Sequence, residues 1–190
     1  MIKSANPQYP IHELFANRWS PRSFSEKELN DEQMNSLFEA ARWSYSAFNY
    51  QPWTFYYSLK NNSESFNKIV DCLAPPNQAW AKNAAGIVVC LAKKNVDNGT
   101  FNNWAQFDLG AAVMSLSLQA LSMDIFVHPM AGFSVEKVVE VLNINSEEYN
   151  TLVILACGYL GDADKLEEPM KTREISPRTR KSISEFVNKL

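Results

Sequence analysis

Two arginine-rich segments lie near opposite ends of the chain. The first is Arg18-Trp19-Ser20-Pro21-Arg22, a short loop in which a proline limits the flexibility of two arginines and a hydroxyl. The second is Arg178-Thr179-Arg180-Lys181, near the C-terminus. Guanidinium groups bind phosphate oxygens through paired, charge-assisted hydrogen bonds, so the two segments could close on one phosphate dianion. Taken alone, each segment is more typical of a solvated basic loop or tail.

Two further segments combine small residues with groups that can hydrogen-bond to a ligand. Residues 46–53 (SAFNYQPW) carry the amides of Asn49 and Gln51, which offer donors and acceptors to the edge of a flavin or a base. Residues 128–133 (HPMAGF) contain a proline and a glycine, so this loop could present backbone N–H groups to a ligand. An ordinary polar turn and a structural histidine beside packing residues are the alternative interpretations.

The segments between these motifs mix helices and strands without regular alternation. Helical spacing of apolar residues predicts helices over residues 10–16, 60–72 and 103–123, one that opens at a Ser25–Glu28 capping box, and one capped by Ser134. Buried strands are predicted over residues 53–59, 86–92, 124–127 and 151–159, with a turn at Pro75-Pro76. This order favours an α+β domain, and no glycine-rich dinucleotide fingerprint follows a strand.

Composition restricts the classes to which the protein could belong. Its 190 residues, 46% of them hydrophobic, suit one domain with a real core, and a net charge of -3 indicates no basic surface for nucleic acid. The two histidines are far apart, so no metal site is expected, and Cys90 and Cys157 fall in apolar strands. Without a signal peptide or a transmembrane run, we expect a cytoplasmic protein with no membrane partner.

The helix over residues 103–123 is apolar on nearly all sides. Such a helix is central in a larger body or is buried between subunits. The tail carries a helical apolar stripe of Ile183, Phe186, Val187 and Leu190. This stripe and an aromatic content of 12% add surface that needs covering. These features predict an obligate dimer.

Taken in order, the motifs resemble the nitroreductase family of FMN-dependent oxidoreductases. They are R-x-S-x-R near residue 20, S-A-x-N-x-Q-P-W-x-F from residue 46, D-L-G-A-A from residue 108, P-M-A-G-F from residue 129, a strand ending Gly158-Tyr159, and R-x-R followed by S-I-S-E-F-V. The resemblance spans about residues 12–188. It implies one domain over residues 1–190, an α+β sandwich with a mixed, mainly antiparallel sheet flanked by helices, and a homodimer with two FMN molecules at its interface.

The resemblance also assigns residues to an FMN site. They are Arg18, Trp19, Ser20 and Arg22 in the first flavin-contacting segment, Arg178 and Arg180 at the phosphate, Ser46, Ala47 and Asn49 from the partner subunit, Pro129, Met130, Ala131 and Gly132 in the loop near flavin N5, and Asn77 or Gln78 at the pyrimidine edge. No side chain is assigned as a general acid or base, because the flavin carries the chemistry. Tyr45 stands where relatives often have proline, and Trp19 is bulky for its loop, so the pocket shape departs from the family pattern.

The implied activity is transfer of electrons from NAD(P)H through flavin N5 to a small acceptor, such as a nitroaromatic or a quinone, in a ping-pong cycle. Two alternatives remain. One is a non-enzymatic FMN-binding protein for storage or redox sensing, and the other is a different flavin chemistry on the same fold, such as flavin fragmentation or dehalogenation. No ribose-reading motif distinguishes NADH from NADPH.

Overall fold

The computed structural model describes residues 3–190. Its longer elements, in chain order, are α1 (Glu13–Asn17), α2 (Asp31–Arg42), β1 (Trp53–Leu59), α3 (Ser63–Val70), α4 (Pro75–Ala81), β2 (Gly86–Lys93), α5 (Ala105–Ser122), β3 (Phe126–Met130), α6 (Val135–Leu142), β4 (Tyr149–Gly158) and α7 (Met170–Ile175). Short 3-10 turns cover Ala47–Asn49, Ala163–Lys165 and Ile183–Glu185. None of the helices in this part of the chain is long and apolar enough to cross a membrane.

The four strands form one sheet in the order β1-β2-β4-β3. All three pairings within residues 3–190 are antiparallel, so this part of the chain does not contain the parallel pairing that a mixed sheet requires. The α+β class and the predominance of antiparallel pairing are confirmed. Residues of β2 alternate between two hydrophobic cores, with Val88 and Cys90 on one face and Ile87 and Val89 on the other. Helices cover both faces, which explains why this strand is a continuous apolar run.

Helix α5 packs against one face of the sheet and against α2. Its Leu109, Ala112 and Leu116 are fully buried there, together with Met34 and Leu37 of α2. The opposite side of α5 exposes apolar residues rather than charged ones. The structure therefore accounts for the apolar character of only one side of this helix.

Helix α2 begins later than the predicted Ser25–Glu28 capping box, and that prediction was wrong. The capping box is formed by Asn30 and Gln33, where the Gln33 N–H donates to Asn30 Oδ1 at 2.9 Å and the Asn30 N–H donates to Gln33 Oε1 at 3.1 Å. The Ser25 N–H instead donates to the Tyr159 carbonyl at 2.9 Å. A tertiary hydrogen bond at Ser25 thus holds this segment outside the helix.

Three other boundaries also differ from the sequence-based predictions. Pro75 and Pro76 open α4 rather than forming an isolated turn, because a proline fits the first helical positions. Strand β3 begins at Phe126 rather than at residue 124, because Asp124 has a φ of 59° and is not extended. The apolar tail forms only a 3-10 turn at Ile183–Glu185, whereas the Ser134 cap of α6 is confirmed by a bond from the Lys137 N–H.

Candidate active site

A groove of about 580 Å³ lies between the N-terminal arm and the C-terminal segment. Arg18, Arg178 and Arg180 line it, and we call these three residues the arginine cluster. The apolar part of the lining comes from Tyr9, Ile11, Phe15, Met114, Ile183 and Phe186. The fold therefore brings together two segments that are about 160 residues apart in the chain.

The arginine cluster is positively charged without internal compensation. Burial lowers the pKa of Arg18, and the charge of Arg180 lowers it further. Burial also lowers the pKa of Arg178, with additional lowering by Arg18 and Arg180. Within residues 3–190, none of the ion pairs includes a member of this cluster. Three neighbouring guanidinium groups of this kind are suited to an anion with several oxygens.

Arg178 also fastens the N-terminal arm. Its Nη1 donates to the carbonyl oxygens of Lys3 at 2.9 Å and Ala16 at 2.7 Å. Arg180 donates from Nη1 only to the carbonyl of its neighbour Thr179, at 2.7 Å. The planar guanidinium of Arg178 is thus held in place by the backbone, while Arg180 is exposed to the groove.

A hydrogen bond from His128 of strand β3 holds the loop of residues 18–22 in place. Burial lowers the pKa of His128 to about 4, so its imidazole is neutral near pH 7 and its Nδ1–H can donate to the Pro21 carbonyl, 2.8 Å away. The imidazole ring lies 4.5 Å from that of Trp80. The Trp19 ring is buried against Phe126, so it faces the core rather than the groove. This geometry agrees with the interpretation of His128 as a structural histidine.

Arg22 lies apart from the arginine cluster, although the sequence groups it with Arg18. Its backbone N–H and that of Ser23 donate to the buried carboxylate of Glu174, and its Nη1 lies 4.0 Å from Glu174 Oε2. Burial lowers the pKa of Arg22, whereas the negative charge of Glu174 raises it. Arg22 is therefore the one arginine of the two motifs with a carboxylate partner in the described chain.

The loop after β3 is held against α4. The Gly132 carbonyl accepts hydrogen bonds from Asn77 Nδ2 at 3.0 Å and from the Ala74 N–H at 2.9 Å. A Cβ atom on Gly132 would lie 2.9 Å from Asn77 Nδ2, so a side chain at this position would displace the Asn77 amide. Ala131 is exposed, and within residues 3–190 no hydrogen bond is donated by its N–H or by that of Gly132. These two N–H groups are available to a ligand.

The remaining residues of this region take part in folding. Pro129 and Met130 belong to β3, and the Met130 side chain is buried in the core. Gln78 Nε2 donates to the Leu73 carbonyl at 2.7 Å and to the Asp71 carbonyl at 3.3 Å, so its amide closes the end of α3. Of the two predicted alternatives, Asn77 is therefore the one that contacts the loop at Gly132.

The segment that contains Ser46, Ala47 and Asn49 is a tight turn with unusual backbone angles. Phe48 and Asn49 have φ values of 50° and 58°, in the left-handed region that non-glycine residues rarely adopt. The Ala47 N–H donates to the carboxylate of Asp108 at 3.2 Å, and Ser46 Oγ accepts from the Gln51 N–H at 3.1 Å. Within the described residues, no hydrogen bond or ion pair joins this turn to the arginine cluster.

Exposed aromatic and apolar side chains lie in this turn, beside it and on the outer side of α5, and we call this set the apolar stripe. It consists of Trp43, Tyr45, Phe48, Tyr50, Trp104, Phe107 and Met114. The ring centroids of Tyr45 and Phe107 are 5.9 Å apart, and Phe48 is 85% exposed. Met114 also lines the groove, so the apolar stripe reaches the arginine cluster.

Sequence reasoning missed Glu174 altogether, and it noted Asp108 only as part of a motif. Glu174 lies in a polar stretch without periodicity, and its partners at residues 22 and 23 are about 150 positions away. Asp108 is only 1% exposed, and an acidic residue inside an otherwise apolar helix was the signal that could have identified it.

Comparisons with a family model and with solved structures point to the same family. The nitroreductase family model matches residues 15–159. A solved structure described as an oxidoreductase containing FMN is 32% identical, with a TM-score of 0.91, covering 96% of this chain and 93% of its own. A nitroreductase family protein from Streptococcus pneumoniae is 19% identical, with a TM-score of 0.75, covering 94% of this chain and 98% of its own, and shows the shared fold.

A sequence relative, an uncharacterized 15.4 kDa protein from Mycolicibacterium smegmatis, is 29% identical over 124 residues, which are 65% of this chain and 82% of the relative. The family model covers most of the chain, and the solved structure with the TM-score of 0.91 shares its fold. The chain belongs to the nitroreductase family.

Proposed function

We propose that the protein is an FMN-dependent oxidoreductase that passes electrons from NAD(P)H to a small acceptor, such as a nitroaromatic or a quinone. The observation that carries this proposal is the arginine cluster, which provides three guanidinium groups at one groove, none of them paired with a carboxylate from the described residues. The solved structure that is 32% identical over nearly the whole chain is described as containing FMN, and this supports the choice of anion.

In this proposal, Arg18 and Arg180 bind the FMN phosphate, and Arg178 binds it while holding the N-terminal arm. Ser20 lies in the same loop and offers a hydroxyl donor. Arg22 stabilises the loop through its contact with Glu174. Trp19 contributes through its backbone only, since its ring is in the core.

Bound FMN would supply the redox chemistry, accepting a hydride at N5 from NAD(P)H and releasing electrons to the acceptor in a ping-pong cycle. The N–H groups of Ala131 and Gly132 are the donors proposed to face the N5 side of the flavin, and Pro129 and Met130 place them at the end of β3. Asn77 orients this loop by donating to the Gly132 carbonyl. These residues position the reacting groups, and no side chain is required as a general acid or base.

The proposed enzyme is a homodimer in which Ser46, Ala47 and Asn49 serve the flavin bound by the partner subunit. The accessible surface of the chain is 11361 Å². A compact monomer of the same mass would expose about 9,200 Å², so roughly 2,200 Å² of additional surface needs covering. Two subunits together would bury about twice this excess, which is in the range of obligate interfaces, and the apolar stripe supplies surface of the right character.

The absorption spectrum of the purified protein, before and after incubation with FMN, tests the cofactor. We expect a bound flavin spectrum and a 1:1 ratio of FMN to subunit. Under anaerobic conditions, NADH or NADPH should then bleach the flavin, and an added quinone or nitroaromatic should restore its colour. A protein that binds no FMN would refute the proposal. Bound FMN that neither nicotinamide reduces would favour a storage or sensing protein instead.

A further inference from the structure

We propose that Glu174 is a positioning residue for the anion site, because its carboxylate accepts from the N–H groups of Arg22 and Ser23, so that binding of an external phosphate is left to the guanidinium groups of the arginine cluster. This inference rests on the proposed function, since the phosphate is that of FMN. Glu174 lies in α7, outside the motifs that the sequence pointed to.

Glu174 is only 4% exposed, and its burial is compensated by donors from the loop. The Arg22 N–H donates to both carboxylate oxygens, at 2.9 and 3.0 Å, and the Ser23 N–H donates to Oε1 at 3.0 Å. The Arg22 guanidinium lies 4.0 Å from Oε2. A buried carboxylate requires such donors, so the position of the loop and that of α7 are fixed together.

The same residue is connected to the arginine cluster through the N-terminal arm. Lys3 Nζ donates to the Glu174 carbonyl at 2.8 Å, and the Lys3 carbonyl accepts from Arg178 Nη1 at 2.9 Å. Glu174 thus joins the loop that carries Arg18, the arm and the segment that carries Arg178. Moving Glu174 would alter the separation between the two halves of the cluster.

Occupation of the loop amides also decides how an external anion is bound. Two successive backbone N–H groups form a concave site that attracts anions, as in many phosphate loops. Here the N–H groups of Arg22 and Ser23 are already used by Glu174, and Ser23 Oγ donates to the Asp162 carbonyl at 2.6 Å. A bound phosphate must therefore be held mainly by the arginine cluster, none of whose members has an acidic partner within residues 3–190.

The test compares FMN with riboflavin, which has the same ring system but no phosphate. Glu174→Gln keeps the size of the side chain but leaves only one acceptor oxygen, uncharged, for the N–H groups of Arg22 and Ser23, so the loop is held in place less firmly. We expect fluorescence titration to show FMN binding weakened about tenfold, with riboflavin binding little changed. Glu167→Gln, an exposed carboxyl in the same part of the chain, is the matched control and should bind both flavins like the wild type.

Equal FMN affinity in wild type and Glu174→Gln would refute the role of Glu174 and leave the proposed function intact, whereas a wild type that binds no FMN would refute the proposed function itself. Equal weakening of FMN and riboflavin binding would also refute the role of Glu174, since the effect would then be a general loss of structure. If Glu174→Gln does not fold, amide hydrogen exchange of the wild-type protein provides the test. The Arg22 and Ser23 amides should be equally protected with and without FMN, and protection that appears only with FMN would show that the phosphate takes the place assigned to Glu174.

Discussion

Replacing Arg18 by Gln should weaken flavin binding without lowering the folding stability of the ligand-free protein. In the ligand-free protein, the Arg18 guanidinium is half-buried, and its pKa is lowered by burial and by the charge of Arg180. Removing its charge relieves this repulsion and desolvation. The free energy of unfolding of the ligand-free variant should therefore equal or exceed that of the wild type.

The effect on binding has a defined size if Arg18 contacts the FMN phosphate. A hydrogen bond to a charged group contributes about 1.5–3 kcal/mol, so the dissociation constant should rise about 10- to 150-fold. At an FMN concentration 100 times the wild-type dissociation constant, binding stabilises the wild type by about 2.7 kcal/mol, but a tenfold weaker variant by only about 1.4 kcal/mol. For a chain of this length, the FMN-induced rise in Tm should then be smaller by about 3–5 °C.

Thermal unfolding followed by circular dichroism, with and without FMN, measures both quantities in one experiment. Arg173→Gln is the matched control, because Arg173 is an exposed arginine in the same C-terminal region. This control should show the full FMN-induced rise in Tm. An Arg18→Gln protein that is less stable without FMN but keeps the whole rise would refute the reasoning, because Arg18 would then support the fold and not the phosphate.

Three further predictions concern other parts of the structure. Gly132→Val should destabilise the protein by about 1–3 kcal/mol in urea unfolding, because its Cβ meets Asn77 Nδ2; unchanged stability would contradict the packing described. Burial lowers the pKa of His128 from 6.5 to about 4, so the unfolded chain takes up a proton first and stability falls as the pH drops from 6.5 towards 4. His128→Asn, which cannot titrate, should therefore lose about 2 kcal/mol less than the wild type between pH 7 and pH 5, and parallel pH curves would exclude this role. Phe107→Glu should shift the sedimentation of the protein from dimer towards monomer, whereas Val135→Glu, at another exposed apolar position, should not; a wild-type monomer would overturn the dimer itself.

The sequence was informative about the fold where local pattern and burial agree. The run at residues 86–92 predicted a strand because it is apolar at every position, and β2 is buried on both faces. Near residue 25 the local pattern was misleading. Both Ser25–Glu28 and Asn30–Gln33 have the spacing of a capping box, and the choice between them depends on the hydrogen bond of Ser25 to Tyr159. A contact between residues so far apart leaves no trace in local spacing.

In the candidate site, too, the sequence indicated what side-chain chemistry determines and not what long-range contacts determine. The similar chemistry of Arg18 and Arg180 suggested that their segments meet, and both line one groove. The different environment of Arg22 could not be predicted, because it depends on Glu174, which is 152 positions away. The amide of Gln78 matches the chemistry of a flavin contact, but in the fold its Nε2 donates to the Leu73 carbonyl at the end of α3, a contact that local spacing does not reveal.

Because the C-terminal segment is exposed, the rate at which proteases cleave the protein should depend on whether a ligand is bound. Residues 176–190 contain no element longer than a 3-10 turn, and exposed polar segments of this kind are where proteases cut. A trypsin-like protease cleaves after arginine and lysine, so Arg178, Arg180 and Lys181 are at once anion-binding candidates and cleavage sites. A cut after Arg178 would separate Arg180 from the rest of the arginine cluster. A bound phosphate group would shield the same bonds, so the ligand-free protein should be degraded first, as the rate of tryptic digestion with and without FMN would reveal.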